Sequence, residues 1–497
     1  MTPTESVSGK RFFSNSLPLL CLFLIAIVAL LWKLGAGSLA AWDEAIYAQV
    51  SKEMLSRRDW LTLHWQYKPW FEKPPLLMWM TALFYSLFGV SEFTARLASA
   101  LSGLALLWVT YLIGRLSHGR RVGLLSAIVL LTCYHFLSFS RFGTMDVMLA
   151  LFTCVAVYAY LRLREDENQR WWYLIWCSCA LALMAKGAGG IIAPASILLA
   201  LIFDRRFAYA VRAKHFWLAS LLAVLIVAPW HALMYLWYGR VFVDEYIGYH
   251  IIERSTRTLE GHPSSYLYFV GKLVDGFFPW CLVVPFAVFS FVRRNLKERS
   301  QSWVLLILAA LVFGVYTLIP TRRPWYIVPL YPALSIMIAA FLTNLYRAYQ
   351  SRAVYRRIII AASVFLIITG GLYSFASLYL NYRPEEPVAR LAREARSATH
   401  QDKDSLILLS EAEPFYAQTP LFYSDRPIQQ AYAFSRQESS DAKRYVHYEN
   451  LADIMRDADA KRIILSKENV ERLSADYDIQ VLAEADQLVY ATIKRKR

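Results

Sequence analysis

The 497-residue chain carries little charge for its length: Asp, Glu, Lys and Arg make up 18% of it, against 57% hydrophobic residues. So few polar side chains cannot cover a soluble globule of this size, which excludes a soluble enzyme and predicts a membrane protein. Cysteine is scarce as well. The six present, Cys21, Cys133, Cys154, Cys177, Cys179 and Cys281, fall in or beside apolar runs, and the polar C-terminal region has none. That excludes a disulfide framework and a thiolate metal site, and Cys177 and Cys179 are too close for a zinc knuckle. Heptads, solenoid periods and low-complexity tracts are missing. No phosphate-binding glycine motif occurs, because Gly187-Ala188-Gly189-Gly190 lacks the strand and the spacing such a loop requires. The net charge of +15 raises the question of nucleic acid, but the basic residues come in short clusters between apolar runs, the pattern of membrane topology.

What the chain has in quantity is apolar segments. Helices are predicted near 17–34, 93–114, 122–140, 147–163, 171–185, 188–203, 215–234, 277–292, 302–319, 325–344 and 357–380, most of them approaching the ~20 residues of a bilayer crossing. The first resembles a signal peptide, with Ser38-Leu39-Ala40 as a cleavage-like site, but the many spans that follow favour an uncleaved anchor. The run Leu76–Val90 is short and follows Pro74-Pro75, as a re-entrant or interfacial helix would. If it does not cross, the basic clusters at 10–11, 115–121, 162–170, 205–214, 293–299 and 347–357 share one side, which the positive-inside rule makes cytoplasmic, with about eleven crossings in all. A small α/β domain is expected after residue 383. Its strand candidates are 406–409, 462–465, 479–483 and 488–493, and its helix candidates 388–398 and 450–458. The division is therefore a membrane domain over 1–382, with outer loops 35–92 and 235–275 forming the site, and an extracytoplasmic domain over 383–497.

The same parity puts several charged residues on the outer side. Asp43 and Glu44 stand where the first span gives way to an amphipathic helix; a carboxylate there serves as an N-cap or as a reactive acid. Glu72 and Lys73 are fixed beside the rigid Pro74-Pro75 turn, as a preorganised site or as an interfacial ion pair. Asp146 lies on a short turn between two spans, where a carboxylate needs a partner, water or a helix N-terminus. Lys186, also between spans, either snorkels to the surface or meets a phosphate. The second outer loop offers His231, His250, Arg254, Arg257 and His262, with His250 and Arg254 one helical turn apart. A histidine with dispersed carboxylates is a weak metal signal, and solvation is the competing reading. Finally, Arg322 and Arg323 sit on an outer turn before Trp325-Tyr326, suited to lipid phosphate or to membrane anchoring.

Taken in order, Trp42-Asp43-Glu44 with Tyr47, Phe71-Glu72-Lys73-Pro74-Pro75-Leu76, Arg141-Phe142-Gly143-Thr144-Met145-Asp146, Lys186-Gly187 and Arg323 to Pro332 resemble the aminoarabinose transferase and protein O-mannosyltransferase superfamily. The resemblance implies a GT-C fold and a sugar donor carried on polyprenyl phosphate. It also implies roles: Asp43 and Asp146 as essential outer-loop acids, with Glu44 beside them, and Glu72-Lys73 as the characteristic pair. Lys73, Lys186, Arg254, Arg322, Arg323 and Tyr326 become candidate carrier-phosphate contacts, and Glu72 with His250 a pair able to hold a divalent metal.

The function expected from these residues is inverting sugar transfer to lipid A or another cell-envelope glycolipid at the outer face of a bacterial inner membrane. A protein acceptor is the alternative within the superfamily. A transporter or flippase is the rival from another class, and it calls for charges deep within spans or for inverted repeats, neither of which is evident.

Overall fold

The computed structural model describes residues 5–257, 265–298, 302–379, 386–397, 406–409, 418–424, 428–432, 448–455 and 460–496. His262 lies outside them. In chain order the helices are α1 (Glu5–Leu31), α2 (Asp43–Arg57), α3 (Leu76–Phe88), α4 (Glu92–His118), α5 (Arg120–Leu131), α6 (Tyr134–Ser140), α7 (Asp146–Asp166), α8 (Trp171–Lys186), α9 (Ile192–Phe203), α10 (Phe207–Arg212), α11 (Lys214–Tyr238), α12 (Arg240–Phe242), α13 (Arg254–Thr256), α14 (Tyr268–Phe277), α15 (Val284–Glu298), α16 (Trp303–Leu318), α17 (Leu330–Ala348), α18 (Ala353–Tyr379), α19 (Pro387–Ser397), α20 (Gln418–Ser424), α21 (Leu451–Ile454) and α22 (Lys467–Leu473). The strands are β1 (His64–Trp65), β2 (Lys68–Pro69), β3 (Leu406–Leu409), β4 (Ile428–Tyr432), β5 (Tyr448–Asn450), β6 (Lys461–Ser466), β7 (Tyr477–Ala485) and β8 (Leu488–Arg495). The chain forms two compact units: Met1–Leu34, Phe71–Met80 and Arg96–Asn381 make the first, and Gly35–Trp70, Thr81–Ala95 and Tyr382–Arg497 the second.

The first unit is helical. By length and composition, five helical stretches among the described residues suffice to cross a membrane: 92–118, 146–166, 171–203, 214–256 and 353–379. The pair α5 and α6, bent by 70°, makes a sixth if it is one span. Two of these stretches fold back on themselves. A Cβ on Gly190 would lie 2.5 Å from the Ala182 carbonyl oxygen, although eight residues of straight helix advance about 12 Å. The chain thus reverses through a 3-10 turn at Gly187–Ile191. Likewise His231 Nε2 and Tyr246 Oη are 3.1 Å apart, where a straight helix would separate them by about 22 Å. The break is at Gly239, whose φ of 54° and ψ of −125° suit glycine. A π-helix over Val243–Glu253 follows it.

A helix was expected over 277–292. The structure instead ends α14 at Phe277 and starts α15 at Val284, because Pro279 supplies no N–H and holds Phe278 extended. Helix α17 is buried along most of its length, from Leu330 through Ala340.

In the second unit a six-stranded sheet runs in the order β5-β4-β3-β6-β8-β7. The first four of these are parallel, while β8 is antiparallel to both β6 and β7. Leu406 and Leu408 face α19 and α20, whereas Ile407 and Leu409 pack with Leu451, Ile463 and Leu473. Both faces of β3 are therefore covered, as a parallel strand requires. The strands expected at 406–409, 462–465, 479–483 and 488–493 are present within a residue or a few at each end, and β4 and β5 are additional. Of the helix expected over 450–458, of which 456–458 lie outside the described residues, one turn is present, α21, capped by the Asn450 side chain accepting from Ala452 N–H.

The second unit also holds α2 and the β1-β2 hairpin. Gln66 and Tyr67 form its two-residue turn with φ of 52° and 62°, a backbone that normally selects Asn-Gly. The buried Glu53 carboxylate accepts from Tyr67 N–H at 2.8 Å and from Gln49 Nε2 at 2.9 Å, which holds this turn.

Candidate active site

Asp146 begins α7 and Lys186 ends α8, so the acid is at a helix N-terminus and the base at a C-terminus, each where the helix dipole favours it. Their side chains form a buried ion pair. The Lys186 ammonium also lies 4.6 Å from the centre of the Tyr326 ring, which in turn packs on Tyr316 at 4.9 Å. Tyr316 was not singled out from the sequence; its buried hydroxyl has no hydrogen-bond partner among the described residues. Its signal was positional only, ten residues before Tyr326 across the Pro320–Pro324 turn.

The turn after Lys186 ties in the Glu-Lys segment. Gly187 has φ of 56°, and a Cβ there would stand 2.7 Å from Tyr246 Oη and 3.6 Å from Pro74 Cδ. Only glycine allows Pro74 and Tyr246 this close to the Lys186 turn. Phe71 stacks edge-on against Phe242, and Phe242 lies parallel to Tyr246 at 5.2 Å. Tyr246 donates to His231 Nε2, since His231 Nδ1 is satisfied by the Val227 carbonyl. An aromatic column thus joins the Phe71-Glu72-Lys73 turn to the Lys186-Gly187 turn. Tyr246 escaped sequence reasoning because only the chain reversal at Gly239 gives it that place.

Glu72 Oε2 is 3.9 Å from His250 Nε2, which comes from the π-helix. The Lys73 ammonium reaches the Glu72 carbonyl at 3.3 Å. Among the described residues no third His, Cys, Asp or Glu joins this pair to make a three-ligand metal site. Two protein ligands this far apart suit an ion whose remaining positions are filled by substrate or water.

Arg322 is buried, yet only its Nη2 is used, donating to the Thr317 carbonyl at 2.8 Å; Nε and Nη1 have no hydrogen-bond partner among the described residues. Its guanidinium faces the Tyr266 ring, that of Arg323 the Trp325 ring. Thr321 Oγ1 donates to the Arg257 carbonyl at 2.9 Å, which joins this turn to the segment after α13. Arg254, half-buried, starts α13 directly after the π-helix.

Asp43 and Glu44 belong to the second unit. Asp43 is the first residue of α2 rather than its cap; Trp42 holds the cap position, though its side chain does not cap the helix, at φ of 69° and ψ of −130°. So unusual a backbone at a bulky residue costs on the order of 1–3 kcal/mol and needs support. Glu44 gives it: buried, it accepts from Ala40 N–H at 2.8 Å and fixes the loop from which Asp43 projects half-exposed. The adjacent acids thus differ, Glu44 engaged in the loop and Asp43 presented to the surroundings.

A family model described as dolichyl-phosphate-mannose-protein mannosyltransferase matches residues 72–233, a stretch that includes Glu72, Lys73, Asp146 and Lys186. A protein of Aquifex aeolicus is 30% identical over 358 residues, covering 71% of this chain and 79% of its own. The undecaprenyl phosphate-alpha-4-amino-4-deoxy-L-arabinose arabinosyl transferase of Erwinia tasmaniensis is 29% identical over 313 residues, 60% of this chain and 55% of that one. The crystal structure of ArnT from Cupriavidus metallidurans bound to undecaprenyl phosphate matches with a TM-score of 0.76 at 20% identity, covering 96% of this chain and 98% of that one.

The chain belongs to the aminoarabinose transferase-like superfamily. Its fold is accordingly the helical GT-C fold with a small C-terminal sheet. Within the superfamily, the match spans 64%, 60% and 55% of the lengths of the first three curated relatives.

Proposed function

We propose that this protein is a glycosyltransferase that takes a sugar from a polyprenyl-phosphate carrier and transfers it to a glycolipid of the cell envelope, lipid A being the acceptor of choice. The observation that carries the reading is the buried Asp146–Lys186 pair set against Tyr326 and, through Gly187, against the Glu72-Lys73-Pro74 turn. A lysine held by a carboxylate and an aromatic face is a preorganised cation for a phosphate leaving group. Relatives named as undecaprenyl-phosphate aminoarabinose transferases supply the donor class.

In the proposed reaction the acceptor oxygen attacks the anomeric carbon as the bond from that carbon to the carrier phosphate breaks. The electron pair leaves with the phosphate, and the configuration inverts. Lys186 and Lys73 stabilise the departing charge, together with Arg254 and the unspent donors of Arg322; Arg323 and Tyr326 complete the carrier contacts. Asp146 orients Lys186. Asp43 then takes the proton of a hydroxyl acceptor, whereas a phosphate acceptor needs no strong base and Asp43 orients it. Glu44 holds the Asp43 loop. A divalent ion between Glu72 and His250 would bind donor or acceptor oxygens. The site and the domain over 383–497 face the periplasm in this reading, with about eleven crossings by the positive-inside rule.

A protein hydroxyl is the second acceptor class, favoured by the description of the family model that matches residues 72–233. Purified protein incubated with a radiolabelled polyprenyl-phosphate sugar and either lipid A or a Ser/Thr peptide separates the two. Asp43→Asn is expected to lower kcat about a thousandfold with a hydroxyl acceptor and far less with a phosphate acceptor. Transfer by Asp43→Asn at the parent rate to both would remove Asp43 from the mechanism. Protease added to spheroplasts should cut within 383–497; protection there overturns the orientation.

A further inference from the structure

Away from the Asp146–Lys186 site, the first unit has an apolar groove of about 510 Å³ between α1, the α5–α6 bend and α18. One wall is Leu24, Ile25, Val28 and Trp32 of α1, and the other is Gly371, Phe375, Leu378 and Tyr379 of α18, with Thr132 and Leu137 between them. Thr132 presents no free hydroxyl, since Oγ1 donates to the Ile128 carbonyl at 2.9 Å and receives the Trp280 indole N–H. The α18 wall is left open at its glycine: the nearest atom to a Cβ on Gly371 would be Thr132 Cγ2, at 3.9 Å. An unbranched hydrocarbon chain matches such a slot.

One end of the groove is polar and aromatic. Trp32 and Tyr379 meet there with ring centres 5.6 Å apart, and Arg141 lies over Tyr379 at 5.4 Å. The Arg141 guanidinium is spent on the end of α1, donating to the carbonyls of Ala29, Leu30 and Lys33. The exposed Lys33 ammonium stands 5.2 Å from the Trp32 ring, and no ion pair to it occurs among the described residues. The mouth therefore offers one accessible cation above an aromatic collar. One ammonium matches a singly charged phosphodiester, whereas a diphosphorylated glycolipid would call for more.

We propose that this groove binds one acyl chain of an anionic phospholipid, with its phosphate on Lys33, and that the lipid braces α1 against α18. Bilayer anionic lipids gain about 1 kcal/mol from each basic side chain near the headgroup plane, a factor of about five in occupancy. The occupant is a membrane phospholipid and not the sugar carrier. It is independent of the transfer reaction, so the site stands or falls separately from the proposed activity.

Native mass spectrometry of the full chain in detergent, titrated with phosphatidylglycerol and phosphatidylcholine, tests this. The wild type is expected to retain one phosphatidylglycerol about fivefold better than phosphatidylcholine. Lys33→Gln should abolish that preference while still retaining either lipid. Gly371→Leu, which puts a branched side chain into the slot, should retain neither, and Val28→Trp fills the slot from the opposite wall should Gly371→Leu not fold. Equal retention of the two lipids by the wild type, or undiminished retention by the folded plugged variants, overturns the proposal. Preferential retention of undecaprenyl phosphate or diphosphoryl lipid A, lost on plugging, also overturns it by giving the groove to a substrate.

Discussion

At one end of α7, Asp146 meets Lys186 of α8; near the other, Arg164 meets Asp204 at the end of α9. The surroundings of these two buried pairs differ. Around Arg164, Tyr160 donates to the same Asp204 carboxylate, and Arg162, Glu165, Asp166, Arg206 and Glu167 match one another in exposed ion pairs. Each of these charges has an opposite, although Nε of Arg162 and of Arg164 has no hydrogen-bond partner among the described residues. Around Lys186 the neighbours are an aromatic face, a buried tyrosine hydroxyl and a glycine turn, and the nearby Pro320–Pro324 turn adds Arg322 with two unspent donors. The first arrangement matches its cations with carboxylates, whereas Arg322 has no carboxylate partner among the described residues and keeps two donors for something that arrives. Buried ion pairs alone therefore do not mark a site; the unmatched surroundings do.

The largest expected effect breaks the comparison at Lys186. Lys186→Ala should lower kcat/KM for the lipid-linked donor about a hundredfold or more, measured with radiolabelled donor in detergent. Near-parent activity would reduce the Asp146 pair to the status of the Arg164 pair. Arg164→Ala should act on stability instead, costing about 3 kcal/mol by stranding Asp204. The folded enzyme should keep its donor kinetics, and a lower thermal midpoint with unchanged kcat/KM is the outcome to look for.

Gly187→Ala sharpens the contrast by moving the Lys186 turn without touching its charge. A Cβ at this positive φ, against the Tyr246 hydroxyl, should cost about tenfold in kcat/KM, with KM for the donor rising more than kcat falls. No change would separate the Tyr246–His231 column from the site.

The smallest effect concerns Glu53, an acid buried in α2 of the second unit. Burial raises its pKa above the usual value of 4.5, against the pull of its hydrogen bonds and of Arg57. The folded chain then binds the proton more tightly than the unfolded one. Its contribution to stability is greatest below the unfolded value and falls as pH rises through the raised folded one. Glu53→Gln should flatten this slope, read as the pH dependence of the thermal midpoint. An identical slope in the variant would assign it to other groups.

Much of this was legible in the chain. Apolar run length marked the membrane-type helices, and strand patterning marked β3, β6, β7 and β8, because burial on both faces leaves short apolar runs behind. Asp146 and Lys186 could be picked out as charges between apolar spans, where each needs a partner. Other features left no such trace. Strands β4 and β5 have weak patterns and exist by pairing in the sheet. The bond by which Glu44 engages the loop before α2, from Ala40 N–H, had no sequence signal.

By itself, then, the sequence determined that the chain is membrane-bound, where most of its apolar helical runs lie and which charges are costly enough to require a purpose, since hydrocarbon penalises each of them residue by residue. The pairing of Asp146 with Lys186, the place of Tyr246 over Gly187 and the unspent donors of Arg322 were decided only by the tertiary structure. The first depends on α7 and α8 running back along each other, and the second on the chain reversal at Gly239, each joining residues tens of positions apart that no local pattern of side chains brings together.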